Sequence, residues 1–361
     1  MHRPPCVPLA LALALAGAAA SVAAEPAPFM MRALVGERLV EGQPLSWSDD
    51  RVLLLGRDGA LLEFDPAAAK HSKKIARQFV PYTSAEMQAL LQGELGGRFT
   101  ASASTHFVVA HPRGVGSQWA ERLEALYRGF THYMSVRGFP VQPPPAPLAA
   151  VVFATQEDYY AHAAAAGTPL PAGTLGHYDA QSNRIYLYDL RQGDPSADWS
   201  ANAETIIHEA THQTAYNVGV HARFTEQPRW LVEGLAMMFE APGVWNATSI
   251  QTQGDRLNMY RLGYFRAAAA KRPANWIAQL VASDRPFETT TLDAYAAAWA
   301  LSFYLCETRP QEYSGYLARV AARPRFSAYP PETRLRDFAR AFGSDFELLA
   351  AHLARYVEGL P

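Results

Sequence analysis

The pentapeptide His208-Glu209-Ala210-Thr211-His212 constrains this chain more than any other feature. Its two histidines stand at i and i+4, the spacing that places side chains on one face of an α-helix. Two imidazoles so placed can grip one metal ion, and the glutamate after the first points beside that ion, in reach of a water. The pattern therefore demands helix. Its flanks, Ile206 and Ile207, suit a helix crossing a core rather than lying on a solvated face. The helix is read from Ser200, a residue type that caps N-termini, to about Asn217, with Gly219 as its stop.

Two ligands do not make a catalytic zinc site; three protein ligands and one open position do. A distal histidine in the longer pattern H-E-x-x-H-x-x-G-x-x-H fails, because Ala215 and Val218 occupy the places of its glycine and histidine. His221 is in range by sequence but falls beyond the helix stop. Glu233 is the strongest candidate. It lies in Trp230-Leu-Val-Glu-Gly-Leu-Ala236, read as a second helix that starts at Pro228 and runs to Glu240. Two histidines and a glutamate form a recognised catalytic zinc shell.

Together these two segments resemble the gluzincin metallopeptidases, the clan of thermolysin and aminopeptidase N, where the second helix carries the third ligand. Residues 79 to 360 also resemble an uncharacterised bacterial family with a peptidase-like gluzincin core, through the order Thr105–His111, Gly176-His-Tyr178, Arg184–Asp189 and then the metal helix. The resemblance implies an α+β fold, with a small sheet over the metal helix and a helical C-terminal part. It implies one Zn2+ per chain on His208, His212 and Glu233, with Glu209 as general base. It also implies a tyrosine from a later helix at the oxyanion. Tyr295 is the candidate, and Tyr260, Tyr264 and His221 are its rivals. Glu204 and Glu240 either support the ligating histidines or are solvated helix charges.

One departure narrows the activity. The Gly-x-Met-Glu-Asn segment with which aminopeptidase N-like enzymes bind a free α-amino group does not occur upstream. An endopeptidase is therefore expected, its extended substrate pairing with the edge of the strand Arg184–Asp189. Tyr178, Tyr186 and Tyr188 would line that cleft or pack beneath it. Two other readings stay open: a zinc hydrolase of a non-peptide substrate, and a non-catalytic scaffold or binding protein stabilised by zinc. The intact Glu209 favours an enzyme, because a structural zinc has no use for a general base.

The remaining signals set the surroundings. Residues 1–24 read as a secretory signal peptide: Met1-His2-Arg3, an apolar run from Val7 to Ala20, then Ser21-Val-Ala-Ala24 before Glu25. The run is too short to span a membrane, so no integral segment is expected after cleavage. Cys6 precedes it and is misplaced for a lipoprotein cysteine. Only Cys306 would then remain, without an intramolecular partner, which fits an exported bacterial protein, periplasmic or secreted. A formal net charge of −2 offers no electrostatic footprint for nucleic acid, leaving a peptide or protein substrate as the expected partner.

Residues 25–78 read as a small β-rich unit. Within it Arg51–Gly56 and Ala60–Phe64 form a hairpin around Asp58-Gly59, and Ala67 to Arg77 read as a connector. Residues 79–361 read as the metallopeptidase domain. Its helices are expected at Ser84–Leu95 (capped by Ser84), 117–137 and 156–166, and its strands at 105–111, 148–153 and 184–189. From Gln253 onward the chain reads as mostly helix, the last two helices parted by Gly343-Ser344-Asp345.

Overall fold

The computed structural model describes residues 29–114, 118–190, 200–245 and 252–361. The signal-peptide reading of residues 1–24 and the capping side chain of Ser200 lie outside the described residues. The fold is mixed α+β, β-rich at the N-terminus and helical toward the C-terminus. The chain divides into two compact units, residues 1–124 with 144–209 and residues 125–143 with 210–361.

The first unit holds two sheets. Strands β1 (Met30–Val35), β2 (Arg38–Trp47), β3 (Val52–Gly56), β4 (Leu61–Phe64) and β5 (Ala69–Ala76) form an antiparallel sheet in the order β4-β3-β2-β1-β5. Met31, Ala33, Val40, Val52, Leu54 and Phe64 supply its core. The expected hairpin is β3–β4, and Gly59 takes the positive φ of 83° that the turn requires. The expected connector is a correction. After a 3-10 turn at Pro66–Ala68, residues 69–76 pair with β1 as an edge strand. Lys70, Lys73 and Lys74 are exposed there, and their charges gave the segment the look of a solvated linker. Lysines on an edge strand keep it from pairing with other chains.

The second sheet carries helices α1 (Ser84–Leu95), α2 (Gln118–Ser135) and α3 (Gln156–Ala165) between strands β6 (Phe99–Ala103), β7 (Phe107–Pro112), β8 (Leu148–Phe153), β9 (Gly176–Asp179) and β10 (Arg184–Tyr188). Its order is β6-β7-β8-β10-β9, with β8 parallel to β7 and β10 and both outer pairs antiparallel. Strands β8 and β10 are buried along their whole length, as parallel strands covered on both faces must be. Helix α1 has the bounds read for it, but its cap differs. Thr83, not Ser84, is the N-cap, and it exchanges hydrogen bonds with Glu86 in a capping box. A second correction concerns the sheet edge. Strand β10 is paired on both sides, so residues 184–189 offer no free edge; β9 is the edge strand.

Helix α4 (Ser200–Asn217) follows, then α5 (Arg229–Phe239), α6 (Pro242–Trp245), α7 (Met259–Ala267), α8 (Trp276–Ala282), α9 (Pro286–Thr289), α10 (Thr291–Thr308), α11 (Pro310–Ala321), α12 (Pro331–Phe342) and α13 (Phe346–Glu358). Helix α10 is the axis of the second unit. It is apolar all round and buried from Ala294 to Cys306, the condition of a helix enclosed by others. Cys306 on it is a buried free thiol. Gly343 ends α12, the break falls at the expected tripeptide, and Asp345 caps α13 by accepting from the Leu348 amide. No helix among the described residues is long and apolar enough to cross a membrane.

Candidate metal centre

Helix α4 has the bounds its motif predicts, and Gly219, at φ 87°, stands just past its end. His208, Glu209 and His212 are all buried. Helix α5 supplies the third group. Pro228 occupies its N-cap and Glu233 lies a turn further on, only 2% exposed. Gly234 explains how the carboxylate is brought so deep. A Cβ there would stand 2.5 Å from the Ala298 carbonyl oxygen and 2.2 Å from the Ser302 hydroxyl, so only glycine lets α5 lie this close to α10.

His212 Nε2 and Glu233 Oε2 are 3.8 Å apart, and one ligand atom from each of His208, His212 and Glu233 lies within 4.8 Å of the others. With zinc–ligand bonds of about 2.0–2.1 Å, the corners of a tetrahedron are separated by roughly 3.3 Å. A small inward movement of three side chains closes that difference. Two imidazoles and one carboxylate, buried together, are a donor set that fits zinc.

Glu209 stands outside this set. Its Oε2 accepts the Tyr178 backbone N–H at 2.7 Å, which ties it to edge strand β9. Gly176 keeps that strand close to α4, since a Cβ on it would come within 3.1 Å of the Thr205 methyl. A backbone donor leaves no side-chain signature, so sequence reasoning could name Tyr178 only as a cleft or packing residue. It packs: its side chain is buried and its hydroxyl donates to Asn183 Oδ1 at 2.8 Å. Tyr186 and Tyr188 are likewise core residues. The Tyr186 ring lies against His177, centroids 5.3 Å apart, and His177 Nδ1 is 2.8 Å from the Tyr159 hydroxyl. Burial pushes the His177 pKa down to about 4. Burial raises that of Tyr159, and the charge of Glu209 adds to it.

Tyr295 lies on α10, 1% exposed, and its hydroxyl accepts from Arg229 Nη2 at 2.8 Å. Burial raises its pKa most, the charge of Glu233 raises it further, and Arg229 opposes both. Tyr260 and Tyr264 are exposed on α7 with ring centroids 4.9 Å apart. His221 does not join the three-ligand group. It is buried beside Gln227, and among the described residues no group makes a hydrogen bond of ordinary geometry to either ring nitrogen. Burial, reinforced by His212, pushes its pKa down to about 3. Glu204 is exposed on α4, a solvated helix charge. Glu240 accepts from Asn258 Nδ2 at 2.6 Å and lies 3.9 Å from Arg261.

Residues 202–327 match a family described as "Protein of unknown function (DUF1570)". The DUF1570 stretch contains all three candidate ligands, Glu209 and Tyr295, while strand β9 lies outside it. No curated protein matches the chain.

Proposed function

We propose that the protein is an exported, zinc-dependent metallopeptidase that cuts within peptides. One observation carries the reading. Beside a buried donor set of two histidines and a glutamate stands another carboxylate, Glu209, outside the set and aimed by a backbone hydrogen bond. A scaffold zinc needs no such group, and a hydrolase does.

One Zn2+ per chain, when bound to His208, His212 and Glu233, would supply Lewis-acid polarisation of a carbonyl and lower the pKa of a water to about 7. Glu209 then takes the proton of the attacking water and returns it to the leaving amine. The Tyr178 N–H restrains the Glu209 carboxylate, so little reorganisation is needed when the proton moves. Tyr295 serves the oxyanion, its buried hydroxyl polarised by the Arg229 guanidinium from which it accepts at 2.8 Å. An extended peptide is the substrate class favoured here, because β9 brings a sheet edge beside Glu209 and extended chains add to such edges.

Metal analysis paired with a diverse quenched-peptide library tests the reading, using the protein and its Glu209→Gln variant. The expected result is one zinc per chain in both proteins and cleavage only in the wild type. Zinc without cleavage in either would sink the peptidase assignment.

A further inference from the structure

The N-terminal sheet meets the rest of its unit at the hairpin that carries the Glu209 contact. The Leu61 amide donates to the Gln181 carbonyl at 2.7 Å, joining the start of β4 to the β9–β10 turn. Asp58 Oδ2 lies 3.4 Å from Arg184 Nη2 on β10, and Glu94 of α1 holds the same guanidinium at 2.5 Å. Between these ties, the Asp58-Gly59 turn presses on Asn183. A Cβ on Gly59 would stand 2.9 Å from Asn183 Nδ2, and the φ of 83° there also calls for glycine.

Asn183 is built as a joint. It is 3% exposed and takes the left-handed φ of 60° that asparagine tolerates better than most residues. Its Oδ1 accepts the Tyr178 hydroxyl, and the Tyr178 amide in turn holds Glu209 at 2.7 Å. The contacts therefore form one continuous line: the Asp58–Leu61 turn, Asn183, Tyr178, Glu209. Its first link is close packing of the turn on Asn183 and the rest is hydrogen-bonded, ending on a carboxylate, which two sheets that only share a core do not require.

We infer that the N-terminal sheet is a brace for Glu209, and that Asn183 is the positioning residue through which its Asp58–Leu61 turn sets the β9 amide. The mechanical link stands on contacts alone; its catalytic meaning rests on the proposed role of Glu209.

Hydrogen exchange read by mass spectrometry over residues 176–188, with zinc content and peptide cleavage measured on the same samples, tests it. Asn183→Gly keeps the backbone conformation and removes the joint. Asn183→Asp keeps an acceptor in the same place. Gly59→Ala strikes the brace from the other sheet. Exchange at the Tyr178 amide should rise about tenfold or more in Asn183→Gly and in Gly59→Ala, with β7 and β8 unchanged and zinc retained. Asn183→Asp should restore protection. Cleavage should fall in kcat with KM held, because the displaced group acts in the chemical step.

Unchanged exchange over β9 in both Asn183→Gly and Gly59→Ala would overturn the brace. Should a variant exchange faster everywhere, Tyr178→Phe, which deletes only the hydroxyl, decides by the same readout. If no form cleaves peptides, the exchange result still decides the brace, and only the peptidase reading fails.

Discussion

Glu209 and Glu233 are both buried carboxylates near the same two histidines, yet their surroundings give them different work. Glu233 faces His212 across 3.8 Å, whereas Glu209 is turned to a backbone amide. Glu233→Ala should thus weaken zinc binding by more than the roughly 10–100-fold that loss of an outer-shell partner costs. Glu209→Gln should leave the affinity near wild type. Competition with a fluorescent zinc chelator measures both, and near-wild-type affinity in Glu233→Ala would remove it from the ligand set. Tyr295 invites a second comparison, since its hydroxyl is held by Arg229 and its phenol feels the charge of Glu233. Tyr295→Phe should lower kcat by about a hundredfold, the scale of one lost oxyanion donor, with zinc retained. A variant that instead loses zinc affinity at unchanged kcat would make the tyrosine a support for Glu233.

At the scale of elements, the contact of α5 with α10 decides whether Glu233 reaches the histidines. At Gly234 the two helices lie too close for any side chain, and its neighbours on α10 include a backbone carbonyl that cannot step aside. Gly234→Ala should cost about 1–3 kcal/mol as an overpacked core position and reduce zinc affinity by displacing Glu233. Adding Ser302→Ala should not rescue it, because the Ala298 carbonyl still lies 2.5 Å from the new Cβ. Thermal unfolding with and without zinc reads both effects, and full rescue would shift the explanation to the Ser302 side chain. The same contrast separates what was legible in the chain from what was not. Helix α4 and its stop could be read because helical spacing, apolar flanks and Gly219 are all local signals. Strand β8, a run of six apolar residues, was as plain. Strand β5 was not, since Lys70, Lys73 and Lys74 mask a segment that is a strand only because β1 pairs with it. The edge was misassigned for a related reason. Strand β9 has four residues, and its place beside β10 is a long-range pairing that no local pattern records. The Tyr178 bond to Glu209 depends on that pairing and was equally invisible.

Over the whole molecule, two imidazoles, His221 buried and His177 half-buried, make stability depend on pH in a direction that can be worked out. His177 is held near a pKa of about 4 and His221 near about 3, both chiefly by burial, against an ordinary histidine value of about 6.5. Below pH 6.5 the unfolded chain takes up protons that the folded protein refuses, so stability falls as pH drops. It should be flat with respect to these two groups above pH 7, decline through pH 5, and go on declining until the folded values are reached. At up to about 1.4 kcal/mol per pH unit for each group, His221 alone removes roughly 2 kcal/mol between pH 6.5 and 4.5. Acid release of zinc would act in the same direction, because ligating histidines must be neutral, so the measurement belongs in excess chelator. Urea denaturation of the metal-free protein at pH 7.5, 5.5 and 4.5 should show the decline. His221→Leu should make it shallower by about the His221 share, since leucine fills a comparable volume and takes up no proton. Parallel curves for the two proteins would mean that the folded state accommodates the charged His221 ring, and its burial as a neutral imidazole would have to be abandoned.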